Sequence, residues 1–235
     1  MSQTPNVRDF RRVVFFTGAG MSAESGVPTF RGAGGIWKQY DFARYACQQA
    51  FDRDPAAVWE FHNYRRELVA RCQPNAGHEL IARCQRRLPD VTVITQNIDG
   101  LHQLAGSEDV VELHGSLWRV RCGRERLTSR DAPFEGRRSD GRWWRPDIVW
   151  FGDMLDNAVV DRAVTAIKRC DLLVSIGTSA VVYPAAEMPL LARKNGATLV
   201  EVNPEETPLS DAFDLCLRTT ASAALTALCA GLDAE

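Results

Sequence analysis

Six short apolar runs, spaced far enough apart to leave room for helices, constrain this chain more than any other feature. They span residues 13–17, 91–95, 110–113, 171–176, 198–202 and 213–217. Near-continuous apolar runs of this length read as strands buried on both faces. Three end in glycine or polar turns: Gly18-Ala19-Gly20 after the first, Gly177-Thr178-Ser179 after the fourth, Asn203-Pro204 after the fifth. Between them, 75–87, 156–169, 185–194 and 221–230 read as helices, the first capped by Asn75. Strands alternating with helices predict a parallel sheet covered on both faces.

Two stretches break this rhythm. Residues 32–74 carry a helix at 56–69 but no strand, and residues 119–145 are rich in Arg, Gly and Ser around Trp143-Trp144. Both are expected to be insertions in a single domain spanning 1–235, with its core at about 10–31, 75–118 and 146–230. A composition of 45% hydrophobic and 25% charged residues excludes a disordered or fibrous chain. No apolar run approaches the ~18 residues of a membrane span. Residues 1–9 lack the apolar core of a signal peptide, so a cytoplasmic protein with no membrane partner is expected. The 28 basic and 30 acidic residues leave −2, which provides no global field for nucleic acid. Seven cysteines without one CxxC pair show neither a disulfide framework nor a four-thiolate zinc site.

The polar motifs fall at strand ends. In open parallel sheets ligands bind beyond the carboxyl ends of the strands, so these motifs predict one shared site. A strand running into Gly18-Ala19-Gly20 suits a pyrophosphate cradled on backbone N–H groups. A dehydrogenase fingerprint wants an acidic residue ending a second strand about 20 residues on. Asp41 stands near that distance, but no strand precedes it, which disfavours hydride transfer.

The longer string Gly18-Ala19-Gly20-x-Ser22-x-x-Ser25-Gly26-x-Pro28-x-Phe30-Arg31 is far more specific. Together with Thr95-Gln96-Asn97-Ile98-Asp99-Gly100-Leu101-His102, His114-Gly115, Gly177-Thr178-Ser179 and Asn203-Pro204-Glu205, it resembles the sirtuins, NAD-dependent protein lysine deacylases. The likeness runs from Val13 to about Ala224. It implies a Rossmann-like parallel sheet, a small helical insertion, and a small zinc-ribbon-like module. It also implies NAD as cofactor and acylated lysine proteins or peptides as partners. By the resemblance, Gly18, Ala19, Gly20, Ser22, Ala23, Pro28, Phe30 and Arg31 form the pyrophosphate site and cofactor loop, Phe30 covering the nicotinamide site. Gln96 contacts the nicotinamide ribose, and Asn97, Ile98 and Asp99 line the carboxamide pocket, Asn97 counting with the catalytic residues. Gly177, Thr178, Ser179, Asn203, Pro204, Glu205 and finally Ala221 hold the adenosine half. His114 is the general base, a role suited to a pKa near working pH. The implied products are free lysine, nicotinamide and O-acyl-ADP-ribose. His78 and His102 are expected to be structural.

Residues 150–154 and 179–184 resemble the two segments that sandwich the substrate peptide as an added strand, which points to Phe151, Gly152, Val181 and Tyr183. The helix around 59–66 resembles the class that removes succinyl, malonyl or glutaryl groups with a Tyr and an Arg three residues later. Arg65 matches that Arg, His62 stands in place of the Tyr, and Ala46 matches the small residue that widens the acyl pocket. A guanidinium suits a carboxylate, and a partly protonated His62 either assists it or weakens the site. Where sirtuins carry two CxxC pairs for zinc, this chain has Cys122, Glu125, Arg137 and Asp140. One thiolate beside an arginine is a poor zinc site. No metal is expected, and Glu125, Asp140 and Arg137 are expected to form an ion-pair cluster instead. Plain deacetylation, mono-ADP-ribosyl transfer and non-catalytic NAD or ADP-ribose sensing remain as alternatives.

Overall fold

All but the first residue of β1 (Arg12–Thr17) are buried, as expected of an unbroken apolar run with structure on both sides. The computed structural model describes residues 4–29 and 45–232. In chain order the other strands are β2 (Asp90–Thr95), β3 (Val110–Glu112), β4 (Gly115–Cys122), β5 (Glu125–Thr128), β6 (Arg145–Ile148), β7 (Leu172–Ile176), β8 (Thr198–Val202) and β9 (Leu215–Leu217). The α-helices are α1 (Gln48–Arg53), α2 (Pro55–Ala70), α3 (Ala76–Arg87), α4 (Leu101–Leu104), α5 (Asn157–Arg169), α6 (Met188–Lys194) and α7 (Ala221–Leu228).

Six strands form one parallel sheet in the order β3-β2-β1-β7-β8-β9, the Rossmann-like arrangement the sequence predicts. The order reverses between β1 and β7, which opens a crevice at their carboxyl ends. Successive side chains of β1 alternate between faces. Val13 and Phe15 join Ile81 and Cys84 of α3 and Leu225 and Leu228 of α7 on one side. Val14 and Phe16 join Ala163 and Ile167 of α5 and Ala192 of α6 on the other. Each such large apolar side chain contributes about 1.5–3 kcal/mol when fully buried.

Helix ends follow the local chemistry. Asn75 accepts from the Gly77 and His78 amides at 3.0 and 3.2 Å. His78 Nδ1 accepts from the Asn75 amide at 3.3 Å, a capping box with histidine in the third position. The helix expected over 185–194 is split into a 3-10 turn at Ala185–Glu187 and α6. Pro189 has no N–H to donate to the Ala185 carbonyl, so one α-helix cannot run through both.

The arginine-rich insertion is a second sheet, antiparallel in the order β5-β4-β6. It is wider than the expected 119–145, since β4 starts at Gly115 and β6 ends at Ile148. All four residues of β5 are exposed, so no apolar alternation marked it in the sequence. Arg66 of α2 ties this sheet down. Its fully buried guanidinium donates to the carbonyls of Asp131 (2.8 Å), Leu117 (2.5 Å) and Ser129 (2.6 Å). The rings of Trp118 and Phe134 lie 5.0 Å from it. Burial lowers its pKa to about 10, so it stays charged. At the sheet's tip the ion-pair cluster exists with different arginines from the one expected. Arg138 reaches Glu125 at 3.0 Å and Asp140 at 3.2 Å, and Arg142 reaches Asp140 at 2.8 Å and Glu125 at 3.5 Å. Arg137 is excluded because its backbone bridges Trp143, and its amide donates to Glu135. Among the described residues, no helix is long and apolar enough to cross a membrane.

Candidate active site

A cavity of about 1230 Å³ opens at the carboxyl ends of β1 and β7. It exceeds the roughly 300–1,000 Å³ that a drug-sized ligand fills. A smaller groove of about 350 Å³ at the opposite end of the strands is lined by Arg12, Arg162 and Arg169 among others. Those three are already paired with Asp171, Asp109 and Asp90.

Two loops meet at the floor of the large cavity. The Gly18 amide donates to Ile176, the Gly20 amide to Gly177, and the Gly177 amide to Val202, each at 2.9 Å. A Cβ on Gly20 would stand 2.6 Å from Gly177 Cα, and one on Gly18 would stand 2.8 Å from the Gly177 carbonyl oxygen. Gly177 itself has φ +60, a left-handed conformation. Only glycines allow this approach, and it leaves bare backbone facing the cavity.

Asn97 is fixed from behind. Its Nδ2 donates to the Gly18 carbonyl at 2.9 Å and to Ser22 Oγ at 3.3 Å, and its amide donates to Thr95 Oγ1 at 3.0 Å. Gln96, Asn97 and Ile98 line the cavity, as do Ala19 and Ala23. Ser22 and Asp99 do not. Ser22 Oγ donates to Asp99 Oδ2 at 2.7 Å, and the Leu101 amide donates to Asp99 Oδ1 at 2.9 Å, so both form a layer behind the wall. Burial raises the Asp99 carboxyl pKa. Pro28 also lies outside the lining, although the next residue, Thr29, is in it. Phe30 and Arg31 lie outside the described residues. His78 and His102 pack edge to face at 4.8 Å in the same buried layer. Burial lowers the pKa of both, His78 to about 4.

His114 lines the cavity with its Nδ1 3.0 Å from the Gln96 carbonyl. A carbonyl only accepts, so Nδ1 carries the hydrogen and Nε2 is left as the basic nitrogen. Burial lowers the His114 pKa, and the Gln96 bond offsets part of that. At the other end, Asn203 Nδ2 donates to the Thr178 carbonyl at 2.9 Å. Thr178, Ser179, Pro204, Glu205 and Ala221 share that part of the lining. Glu24, absent from the sequence reading, also lines the cavity and accepts from the Ser222 amide at 2.9 Å. Its long reach to α7 left no local signal in the sequence.

The mouth carries exposed apolar side chains: Phe151, Val181, Tyr183 and, at 88% exposure, Met154. Gly152 between them has φ +90. Deeper in, Arg65 is the one cationic side chain of the lining among the described residues, and Ala46 lines the same cavity. It is 8% exposed, and burial lowers its pKa to about 10, so it remains charged. His62 departs from expectation. It is 1% exposed, does not line the cavity, and stacks on Trp150 at 5.8 Å. Among the described residues, neither ring nitrogen has a hydrogen-bond partner. Burial, then Arg65, Arg145 and Arg66, hold its pKa well below the ordinary range. Burial in this aromatic slot and the three guanidiniums both oppose the protonated form of His62.

At the tip of the second sheet the donor set does not suit zinc. Cys122 faces Glu125 across the β4–β5 turn, and the two nearby carboxylates are engaged by two guanidiniums. Among the described residues, no group of three His, Cys, Asp or Glu is arranged to hold a metal.

Comparison with known proteins agrees with this geometry. A profile of the Sir2 family matches residues 18–184. The chain is similar to an NAD-dependent protein deacylase of Aquifex aeolicus, with 44% identity covering 91% of this chain and 92% of the relative. It is also similar to NAD-dependent protein deacylase 1 of Caldanaerobacter subterraneus subsp. tengcongensis, with 48% identity over 84% of each chain. The crystal structure of a Sir2 homologue–NAD complex superposes with a TM-score of 0.89 at 40% identity, covering 97% of this chain and 91% of that one.

The contact between the glycine loops predicts a cost for the smallest added side chain. Gly20→Ala forces the two loops apart and should destabilise the fold by about 1–3 kcal/mol. Thermal melts followed by circular dichroism check this, and an unchanged Tm would show that the contact is not tight.

Proposed function

The chain belongs to the Sir2 family and is an NAD-dependent protein deacylase, and we propose that it acts preferentially on succinyl-, malonyl- or glutaryl-lysine. The observation that carries this reading is Arg65, a buried, charged guanidinium in the wall of the cleft that the small Ala46 also lines. A guanidinium held in a water-poor wall is a strong partner for a carboxylate. One observation favours plain deacetylation instead: His62 is turned under Trp150 and offers no hydroxyl beside Arg65.

The cleft fits NAD because Gly18, Gly20 and Gly177 line it with backbone alone, the kind of surface that cradles a pyrophosphate. When bound, NAD supplies the ribose carbon that takes the acyl oxygen and the nicotinamide that leaves. Asn97, fixed by Gly18 and Ser22, presents a rigid polar edge to the nicotinamide end. Asp99 and Ser22 hold that edge in place from behind. His114, unprotonated at Nε2, takes the proton of a ribose hydroxyl, and the Gln96 carbonyl keeps its ring in the required tautomer. Phe151 and Val181 flank the acyl-lysine channel, and the backbones around Gly152 and Tyr183 pair with the substrate peptide. The small sheet closes without zinc, through the ion pairs of Arg138 and Arg142 with Glu125 and Asp140, Arg138 lying 4.3 Å from the Trp144 ring.

Mass spectrometry with NAD and one peptide bearing acetyl-, succinyl-, malonyl- or glutaryl-lysine tests the reading directly. The acidic acyl groups should be removed faster. Preference for acetyl would overturn the acyl assignment. ADP-ribose transferred to protein, or NAD bound without nicotinamide release, would point to the transferase or sensor alternatives. Arg65→Met should cost about 100-fold on succinyl-lysine and at most about threefold on acetyl-lysine, in line with the about 2–5 kcal/mol of a desolvated charged pair. Equal losses on both would make Arg65 structural.

His114→Ala should lower turnover by about 10²–10⁴-fold while NAD still binds. In the unaltered protein, turnover should be insensitive to this group above pH 7. It should fall as pH drops below about 6.5, because burial places the His114 pKa under that ordinary value. An acid limb above pH 7 would contradict the assignment. A chelator such as EDTA should leave the Tm unchanged, and elemental analysis should find no stoichiometric zinc.

A further inference from the structure

Glu201 is a carboxylate in an apolar strand. It lies in β8 between Val200 and Val202, beside Ser175 of β7 and Cys216 of β9, and is 3% exposed. A buried carboxylate is tolerated only with several partners. Glu201 has three. Thr207 Oγ1 donates to Oε1 at 2.5 Å, Ser210 Oγ to Oε2 at 2.5 Å, and Arg218 Nη1 to Oε2 at 2.6 Å. Burial alone pushes the carboxyl pKa up, but the bonds from Ser210, Thr207 and Arg218 outweigh it and hold it below its usual range.

Arg218 does more than neutralise this charge. Its Nη2 donates to Ser210 Oγ at 2.8 Å, and its Nη1 also reaches the carbonyls of Asn203 at 3.4 Å and Glu205 at 3.3 Å. The guanidinium thus ties the end of β8 to the segment 203–210 and to the chain entering α7. Both of those pieces border the cleft: Asn203 to Thr207 on one side, and Thr219, Thr220 and Ala221, directly after Arg218, on the other. Glu201, Ser210 and Arg218 do not line the cleft themselves. An apolar residue at position 201 would serve folding as well or better, since buried ion pairs are often replaced by hydrophobic groups without loss of stability. What the ion pair adds is a fixed geometry for two loops that a valine could not hold.

We propose that Glu201 and Arg218 are positioning residues that preset the adenosine end of the cleft, so that NAD binds without first ordering residues 203–207. This rests on the reading of the cleft as the NAD site. The roles are separable from catalysis, because the clasp lies at the opposite end of the cleft from His114 and touches neither the nicotinamide end nor the acyl channel.

The test is a split between KM and kcat, read alongside direct binding of ADP-ribose by isothermal titration calorimetry. Arg218→Lys keeps the charge but loses the fork. It should raise KM for NAD and Kd for ADP-ribose about tenfold, with kcat at saturating NAD and KM for the acyl-peptide within about twofold. The double variant Glu201→Gln with Arg218→Gln removes both charges. It should melt near the unaltered protein and still bind ADP-ribose about tenfold more weakly, which a purely stabilising pair would not do. A folded Arg218→Lys protein with unchanged KM and Kd overturns the proposal. So does a fall in kcat with KM unchanged. An unaltered protein that binds no ADP-ribose overturns the nucleotide reading itself, and the clasp with it.

Discussion

Between Gly20 and Gly177 there is no room for a single methyl group, and the rest of the site depends on that contact. The loop after β1 and the loop after β7 touch backbone to backbone where the strand order reverses. That contact sets the depth of the crevice. It also places the Gly18 carbonyl where Asn97 can donate to it. Asn97 in turn shares Ser22 with Asp99, so one steric constraint at the sheet's midline propagates into the polar wall at Asn97.

Buried charge is handled in three ways in this molecule, and the differences separate structure from function. Arg66 is saturated by three carbonyls and two aromatic faces, which makes it a rivet between α2 and the small sheet. Glu201 and Arg218 neutralise each other while holding loops on either side. Arg65, one residue before Arg66, is presented to the cleft. Adjacent residues on a helix point about 100° apart, so these two neighbouring buried arginines meet different surroundings. His62 shares the helix face of Arg65 in sequence spacing, yet is covered by Trp150 and stays neutral.

An antiparallel trio of strands with an exposed third member has little apolar area of its own. Its stability comes from docking on α2, through Arg66, the Asn63–Phe134 pair of bonds, and Trp59 donating to the Trp144 carbonyl at 2.6 Å. The tip is held by alternating guanidiniums and carboxylates, with Arg138 over the Trp144 ring.

The four inner strands and the cap at Asn75 were readable from sequence alone, because a strand buried on both faces must be continuously apolar and a cap is set by neighbours two or three residues away; the edge strands β3 and β9 kept enough apolar residues to show although they are only partly buried. The gathering of the strand-end motifs into one crevice was also readable, since parallel strands bring their carboxyl ends to one side. Only the tertiary structure decided the rest. β5 is exposed and arginine-rich, so its pairing with β4 left no periodic trace. Arg138 rather than Arg137 holds Glu125 because a backbone bridge to Trp143 fixes which way each side chain turns. Ser22 and Asp99 sit behind the wall rather than in it, and His62 faces Trp150 rather than the cleft. The Glu201–Arg218 clasp joins residues 17 apart across two loops. In each case the deciding contact lies between segments distant in sequence, where spacing and propensity carry no information about which side chain meets which.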